Sequence, residues 1–377
     1  MDKRGAEYNI PAAKIQFLTE DRAWILERID EALSTGQLTL GKYGKQFEEQ
    51  FAAFCGCRHA IAVNSGTSAL EIIFRSLGVE GKDVLVPTNT FFATAAAVVH
   101  AGGRPVLIDI EPATFSIRTE DIENSITENT AGIVIVHIGG IISPGIKKLQ
   151  DLCRREGIWL VEDAAHSHGS SLDGVKAGTF GIAGSFSFYP TKVMTSAEGG
   201  MIVTNDDHIA EEASIFRDQG KASFTRNAHI RMGYNWRMSE PHAIIGLRHL
   251  NRLPSMISDR KKIASIYDQG LKGLHNLQSL KIPAGVDCNY YKYIAVLKDN
   301  RDRKFLKTTL RENFGVSLSG EVYEEPLHKQ PVFEQYSSGQ LPVSEDYCAR
   351  HICLPVFSGM KDDEASRVIS ALKEIIG

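Results

Sequence analysis

The chain has 377 residues, with 42 Lys and Arg against 46 Asp and Glu, a formal net charge of −4. That length allows two domains, and the near-balance of charge excludes a broadly basic surface for nucleic acid or anionic membrane. Hydrophobic residues make up 43% of the sequence without any apolar run of about 18 residues, which excludes a bilayer-spanning helix and fits a soluble globular protein.

The first residues, Met1-Asp2-Lys3-Arg4-Gly5-Ala6-Glu7, carry charge but no apolar stretch, unlike a secretory signal. Six cysteines lack zinc-site spacing, so reduced thiols in a cytoplasmic protein are expected. After an N-terminal helical segment, Asn64-Ser65-Gly66-Thr67-Ser68-Ala69-Leu70-Glu71 opens a helix with small residues. From about residue 60 to 205 the chain alternates apolar runs with helical stretches. Val84-Leu85-Val86-Pro87, Val106-Leu107-Ile108-Asp109, 133–137, 158–163 and Met201-Ile202-Val203-Thr204 read as strands, with helices at 121–127 and 145–155 between them. Continuous apolar runs suit strands buried on both faces of a parallel sheet, and the alternation indicates an α/β domain.

Ser239-Glu240-Pro241 reads as the start of a long helix that runs past Pro254 toward His275. The tail reads as α+β, with strands at 290–297 and 316–322 and helices at 303–313 and 362–376. The expected division is a large domain of residues 1–250 and a smaller C-terminal domain of residues 251–377.

Three features carry chemistry. The small-residue helix start at 64–71 can offer backbone N–H groups and hydroxyls to a phosphate, or can be an ordinary Ser/Thr cap. Asp163 ends the most apolar strand, where ligands of open α/β sheets bind; a turn or helix-cap aspartate is the alternative. Lys192 closes the aromatic and small-residue stretch Gly184-Ser185-Phe186-Ser187-Phe188-Tyr189-Pro190-Thr191-Lys192. If buried, its amine has a lowered pKa and is nucleophilic; the alternative is a solvated surface lysine. His166-x-His168 supplies two imidazoles but no third metal ligand, and no metal is expected. Walker, dinucleotide and nucleophile-elbow motifs are absent from the sequence. Together, a phosphate cradle, a carboxylate at a strand end and a nucleophilic lysine are what pyridoxal 5′-phosphate (PLP) requires.

The sequence resembles the DegT/DnrJ/EryC1/StrS aminotransferases over nearly its whole length. The resemblance rests on Ser65-Gly66-Thr67-Ser68-Ala69-Leu70, Thr90-Phe91-Phe92-Ala93-Thr94, Glu162-Asp163-Ala164-Ala165-His166-Ser167-His168-Gly169, the stretch ending at Lys192, Glu198-Gly199-Gly200-Met201-Ile202-Val203-Thr204-Asn205 and Gly233-Tyr234-Asn235-Trp236-Arg237-Met238. It implies PLP fold type I: a large α/β/α domain on a mostly parallel mixed sheet, plus a smaller C-terminal α+β domain. By the same resemblance, Lys192 is the Schiff-base lysine and proton shuttle, and Asp163 pairs with the pyridine nitrogen. Gly66, Thr67 and Ser187 hold the phosphate, Phe91 stacks on the ring, and His166 stands by the phenolic oxygen where relatives carry Gln. Asn235 reaches the phosphate of a neighbouring subunit, so a homodimer with shared sites is implied.

The implied reaction moves an amino group from an amino acid, L-glutamate, to a nucleotide-linked 4-keto-6-deoxyhexose. A 3-keto sugar, a keto-inositol or another cyclic ketone is the alternative substrate, and a non-catalytic regulator the distant one. Residues 137–144 and Gln219 depart from the family pattern on what the resemblance implies is the substrate side. Lys192 itself separates the chain from relatives that carry His there and act as dehydratases.

Overall fold

The structure, a computed structural model, describes residues 9–377 apart from 224, 225, 300 and 338. Two helices, α1 (Thr19–Thr35) and α2 (Lys42–Cys55), lead into an alternation of strands and helices: β1 (His59–Val63), α3 (Gly66–Ser76), β2 (Asp83–Pro87), α4 (Phe92–His100), β3 (Arg104–Ile108), α5 (Thr119–Ser125), β4 (Thr130–Val136), α6 (Ile146–Glu156) and β5 (Trp159–Asp163). The short strands β6 (Ser171–Leu172) and β7 (Val175–Lys176) precede β8 (Ala183–Ser187), β9 (Gly200–Thr204) and α7 (Asp207–Arg217). A hairpin, β10 (Lys221–Ser223) and β11 (Arg226–His229), leads to α8 (Glu240–Gly270).

Seven strands form one sheet in the order β1-β9-β8-β5-β4-β2-β3. The ladders from β8 through β5, β4 and β2 to β3 are parallel, and β9 runs antiparallel to both β8 and β1. The expected mostly parallel, mixed sheet is therefore observed. Every residue of β2 is buried, as are Val134, Val161 and Ile202 at its centre, because helices cover both faces. Ile72, Ile73 and Phe74 of α3 are fully buried against one face, and Phe47 and Phe51 of α2 sit in the core on the other.

Buried carboxylates lock the layers. Glu240, at the start of α8, accepts hydrogen bonds from the backbone N–H groups of Gly41, Tyr43 and Gly44 at 2.7–3.0 Å, which satisfies the first turn of α2. Glu162, fully buried in β5, accepts from the N–H groups of Gly178, Phe180 and Gly181 and pairs with His137 Nε2 at 2.8 Å. It thereby fixes the turn that leads into β8.

Beyond α8 lie β12 (Leu277–Ser279), β13 (Val286–Asp287), β14 (Tyr293–Leu297), α9 (Arg303–Phe314), α10 (Pro342–Arg350), β15 (His351–Leu354) and α11 (Asp362–Ile376). An antiparallel sheet, β12-β14-β15, packs on α9 and α11. α8 runs 31 residues, about 46 Å at 1.5 Å per residue, straight through Pro254 and through residue 250. Its second half, with Ile263, Ala264 and Tyr267, belongs to the C-terminal core.

Elements before α8 shift by up to three residues from the sequence reading, as with α5 at Thr119–Ser125 against 121–127, and three larger differences lie in the C-terminal part. Tyr290 has φ 49°, so β14 begins only at Tyr293. α8 stops at Gly270, short of His275. Segment 316–322 is no strand: it makes only single bridges, Val316 to Ile10 and Ser319 to Cys353. It leaves the small sheet to form a wall of the cavity described next, which Gly320, Glu321 and Val322 line. Among the described residues, no helix is long and apolar enough to cross a membrane.

Candidate active site

The carboxyl ends of the parallel strands converge on one edge of the large sheet, and the antiparallel strand β9 starts there. A cavity of about 660 Å³ opens at this edge. That volume is within the usual range for small-molecule sites. Gly66, Thr67, Phe91, Asp163, His166, Ser187 and Lys192 all line it, so seven of the eight candidate residues named above come together although up to 126 positions separate them in sequence.

Lys192 rides on the connection from β8 to β9. Phe188 ties both ends of this loop: its N–H donates to the Gly199 carbonyl, and its carbonyl accepts from Thr195 Oγ1 and the Ser196 N–H at 2.6 and 3.0 Å. Val193 and Met194 are buried and anchor the loop beside Lys192. The Lys192 Nζ lies 5.1 Å from the centre of the Tyr291 ring. Burial lowers its pKa to about 8, against the opposing pull of Asp163. At that pKa about a tenth of the amine is neutral at pH 7, the state that can accept a proton or attack a carbonyl, against a far smaller fraction for an ordinary lysine.

Asp163 is 6% exposed at the end of β5. Its Oδ2 accepts from Thr94 Oγ1 at 2.7 Å and its Oδ1 from the Ala165 N–H at 3.1 Å. Thr94 in turn contacts Thr90 Oγ1 at 2.8 Å. The carboxylate is thus held in one orientation at the cavity wall, with lone pairs left for a cationic N–H.

At the other end, Ser65 caps α3, its Oγ accepting from the Ser68 N–H at 3.1 Å. Gly66 and Thr67 open the helix, and their first-turn N–H groups have no intrahelical acceptor. A Cβ on Gly66 would lie 2.8 Å from the Ser187 Cβ, and one on Gly200 would lie 2.2 Å from the Ser65 carbonyl oxygen. Only glycine lets the α3 start, Ser187 and β9 approach this closely. The result is a compact cluster of N–H and hydroxyl donors at a positive helix end, suited to a phosphate.

His166 is buried between Tyr291 and Tyr323, with ring centroids 4.3 and 6.2 Å away. Its Nδ1 accepts from the Gly139 N–H at 3.4 Å, which assigns the hydrogen to Nε2. Burial, reinforced by the ammonium groups of Lys192 and Lys292, holds its pKa well below the usual histidine range, so it is a neutral donor. His168 points elsewhere, against Phe186 and Phe188, and burial takes its pKa down to about 3. Among the described residues no group of three or more His, Cys, Asp or Glu could hold a metal. Phe91 is 60% exposed at the cavity mouth, so its ring is available to cover a ligand rather than being spent on the core.

Asn235 is the exception. It is exposed and outside its own chain's cavity. Its loop is tightly built: Asn235 pairs with Asp218, the Trp236 carbonyl accepts from Asn64 N–H at 2.9 Å, and Cβ atoms on Gly220 or Gly233 would strike backbone at 1.9 and 2.1 Å. Gln219, which follows α7 and is tied to this loop by its N–H to the Tyr234 carbonyl at 2.8 Å, has φ 59° and does not line the cavity; neither does His137, which is fully buried on Glu162.

The sequence reading assigned no role to Thr94, Glu198, Tyr291, Lys292, Glu321 or Tyr323, all of which line or support the site. Thr94 and Glu198 lie within quoted motifs. The others have no local signature, since tertiary folding alone brings 291–292 and 320–323 to the cavity.

The residues present fit PLP: a donor cluster for its phosphate, an oriented carboxylate for its ring nitrogen, a desolvated lysine for its aldehyde and an exposed aromatic ring. Residues 19–373 match the DegT/DnrJ/EryC1/StrS aminotransferase family. The chain is 33% identical to GDP-perosamine synthase of Vibrio cholerae, over 97% of this chain and 98% of that protein. It is 34% identical to dTDP-3-amino-3,4,6-trideoxy-alpha-D-glucose transaminase of Micromonospora megalomicea, over 94% and 96%. The solved structure of Helicobacter pylori PseC, an aminotransferase involved in the biosynthesis of pseudoaminic acid, superimposes with a TM-score of 0.91 at 26% identity, covering 98% of this chain and 99% of that one. Sequence, fold and cavity agree: the chain belongs to the DegT/DnrJ/EryC1/StrS family and is a PLP-dependent sugar aminotransferase.

Proposed function

We propose that this enzyme takes the amino group of L-glutamate, releasing 2-oxoglutarate, and delivers it to a nucleotide-linked 4-keto-6-deoxyhexose. The observation that carries the chemistry is the meeting of Lys192, Asp163 and the Gly66, Thr67 and Ser187 cluster in one cavity. When bound, PLP supplies an aldehyde carbon and a ring that takes up an electron pair. Lys192 would be the residue that holds that aldehyde. Released as a neutral amine, its Nζ takes the proton from the donor's α-carbon in the first half-reaction. In the second it moves a proton to the keto carbon of the sugar. Asp163 would keep the ring nitrogen protonated, Gly66, Thr67 and Ser187 would hold the phosphate, Phe91 would cover the ring, and the Nε2–H of His166 would donate to the phenolic oxygen.

The name of the Vibrio cholerae relative supports a sugar nucleotide as acceptor. The name of the Micromonospora relative favours a second reading, amination at carbon 3. Incubation with ¹⁵N-labelled L-glutamate and GDP-, dTDP- and UDP-linked 4-keto and 3-keto sugars separates the two. The expected product is one mass-shifted amino sugar with nitrogen at carbon 4 by NMR. Nitrogen at carbon 3 selects the second reading, and no labelled sugar refutes both.

We further propose a homodimer in which Asn235 of each chain reaches the phosphate site of the other. The exposure of Asn235, its tightly packed loop and its absence from the lining of its own cavity support this. In a two-fold dimer the same loop completes both sites. Lys192→Ala and Asn235→Ala chains, mixed and refolded, should then recover activity, because one heterodimer site is free of both defects. If Asn235→Ala alone is impaired and proven heterodimers recover nothing, Asn235 acts within its own chain.

A further inference from the structure

Tyr291 stands between the two side chains that the chemistry above places around the cofactor's reacting edge. It lies two residues before β14, and it is buried in the cavity wall, 8% exposed. Its ring centre lies 5.1 Å from Lys192 Nζ and 4.3 Å from the centre of the His166 ring. Its hydroxyl is 3.3 Å from Thr191 Oγ1, next to Lys192 in the chain. Asn289, fully buried, fixes this placement. Its Nδ2 donates to the carbonyls of His166 and His168 at 2.9 and 3.0 Å, and its Oδ1 accepts from the Tyr291 N–H at 2.9 Å. Two carbonyls and one N–H allow only this orientation of the amide. The Asn289 N–H donates to Ser170 Oγ at 3.0 Å. A Cβ on Gly140 would lie 2.0 Å from Asn289 Oδ1, so a glycine is needed to admit the amide. Between Asn289 and Tyr291, Tyr290 holds φ 49°, a costly conformation for a bulky residue, and the buried Arg260 donates from Nη1 to its carbonyl at 3.2 Å.

We propose that Tyr291 is a positioning residue for the amino transfer: its ring holds Lys192 Nζ and the His166 imidazole in one arrangement, and the Asn289 turn carries that ring to them. The inference rests on the roles of Lys192 and His166 given above and adds what places them. An aromatic face attracts an ammonium group, so the ring gives the flexible four-carbon lysine chain a preferred resting point. The Asn289 amide ties Tyr291 to the backbone of His166 itself, so ring and imidazole are set relative to each other. The left-handed Tyr290, braced by a buried arginine, is strain retained at the one place that aims Tyr291 into the cavity. Ring contact also favours the charged form of Lys192, against the burial that disfavours it. Of the other groups lining the cavity, Asp163, Glu198 and Glu321 favour that charge, and His166 is neutral. Lys292 opposes it, with its own Nζ 5.4 Å from the same ring centre and bonded to the Gly320 carbonyl at 3.1 Å, and Tyr189 and Tyr323 contribute phenols. Replacing Tyr291 leaves all of these in the chain.

Absorbance of the PLP-loaded enzyme against pH reads the Schiff base between lysine and cofactor, which carries a proton on Nζ below its midpoint. Tyr291→Leu removes the ring and should move that midpoint down by about half a unit to one and a half units, the worth of a cation–ring contact between exposed and desolvated settings. It should also slow the glutamate half-reaction at saturating glutamate, with little change in the glutamate concentration that gives half the rate. Tyr291→Phe keeps the ring and should keep the unmodified midpoint. Tyr291→Met supplies a second ring-free side chain that fills irregular space, and circular dichroism with melting curves shows which variants are folded. A midpoint unchanged in a folded ring-free variant, or moved as far by Tyr291→Phe as by Tyr291→Leu, overturns the assignment. Borohydride labelling of a lysine other than Lys192 in the unmodified enzyme refutes the reading of Lys192 and this inference with it, whereas a label on Lys192 with an unmoved midpoint refutes this inference alone.

Discussion

Lys192→Ala is expected to abolish amino transfer, lowering turnover by about 10⁴-fold or more, because one side chain supplies both the bond to the cofactor and the proton shuttle. The absorbance of the Schiff base between lysine and cofactor should vanish as well, while PLP held noncovalently keeps that of its free aldehyde. The fold should survive: Val193, Met194 and the Phe188 hydrogen bonds hold the loop without the Lys192 side chain. Burial of Lys192 disfavours its charge and brings its pKa to about 8, so its removal takes away a cost rather than a support. Equal melting temperatures with lost activity would match this account. Turnover within tenfold of the unmodified enzyme would move the chemistry to another residue.

Asp163→Asn should fold and bind PLP yet turn over about 10²–10³-fold more slowly, in line with the roughly 2.7–4 kcal/mol lost with one preorganised electrostatic group. The amide keeps the shape of the carboxylate: its one oxygen can accept from the Ala165 N–H, and its NH2 stands where Oδ2 accepted from Thr94 Oγ1, so that the hydroxyl must turn to accept instead. It lacks the charge that keeps the ring nitrogen protonated. Stopped-flow measurement of the glutamate half-reaction isolates this effect from sugar binding, and a rate near that of the unmodified enzyme would remove Asp163 from its role.

The large sheet was legible where its physics is simple. Val84–Pro87, 133–136 and 159–163 are apolar without alternation because helices cover both faces, and they are observed as β2, β4 and β5. Strand β8 was not legible as a strand. Gly184 and Ser185 are poor strand formers, but a Cβ at Gly184 would come within 2.5 Å of the Gly178 backbone, so packing overrides propensity there. Segment 316–322 failed the other way: its valines and leucine look like a strand, while two isolated bridges are all the strand-like pairing its backbone makes among the described residues. In the site, Asp163 and Lys192 stood out by position and composition. The close approach of Gly66 to Ser187 was readable only through family resemblance, since a Ser/Thr helix cap looks the same in sequence whether or not a second strand presses against it. Tyr291 and Tyr323, which enclose His166, lie more than 100 residues downstream, and nothing near them in sequence marks a binding site.

Two lysines of this chain line the cavity, Lys192 and Lys292, and both Nζ atoms lie over the same Tyr291 ring, at 5.1 and 5.4 Å from its centre. Reduction of the PLP-loaded enzyme with borohydride, followed by proteolysis and mass spectrometry, distinguishes them directly. The account predicts a pyridoxyl group on the peptide carrying Lys192 and an unmodified Lys292. The label on Lys292, or on no lysine, would contradict it.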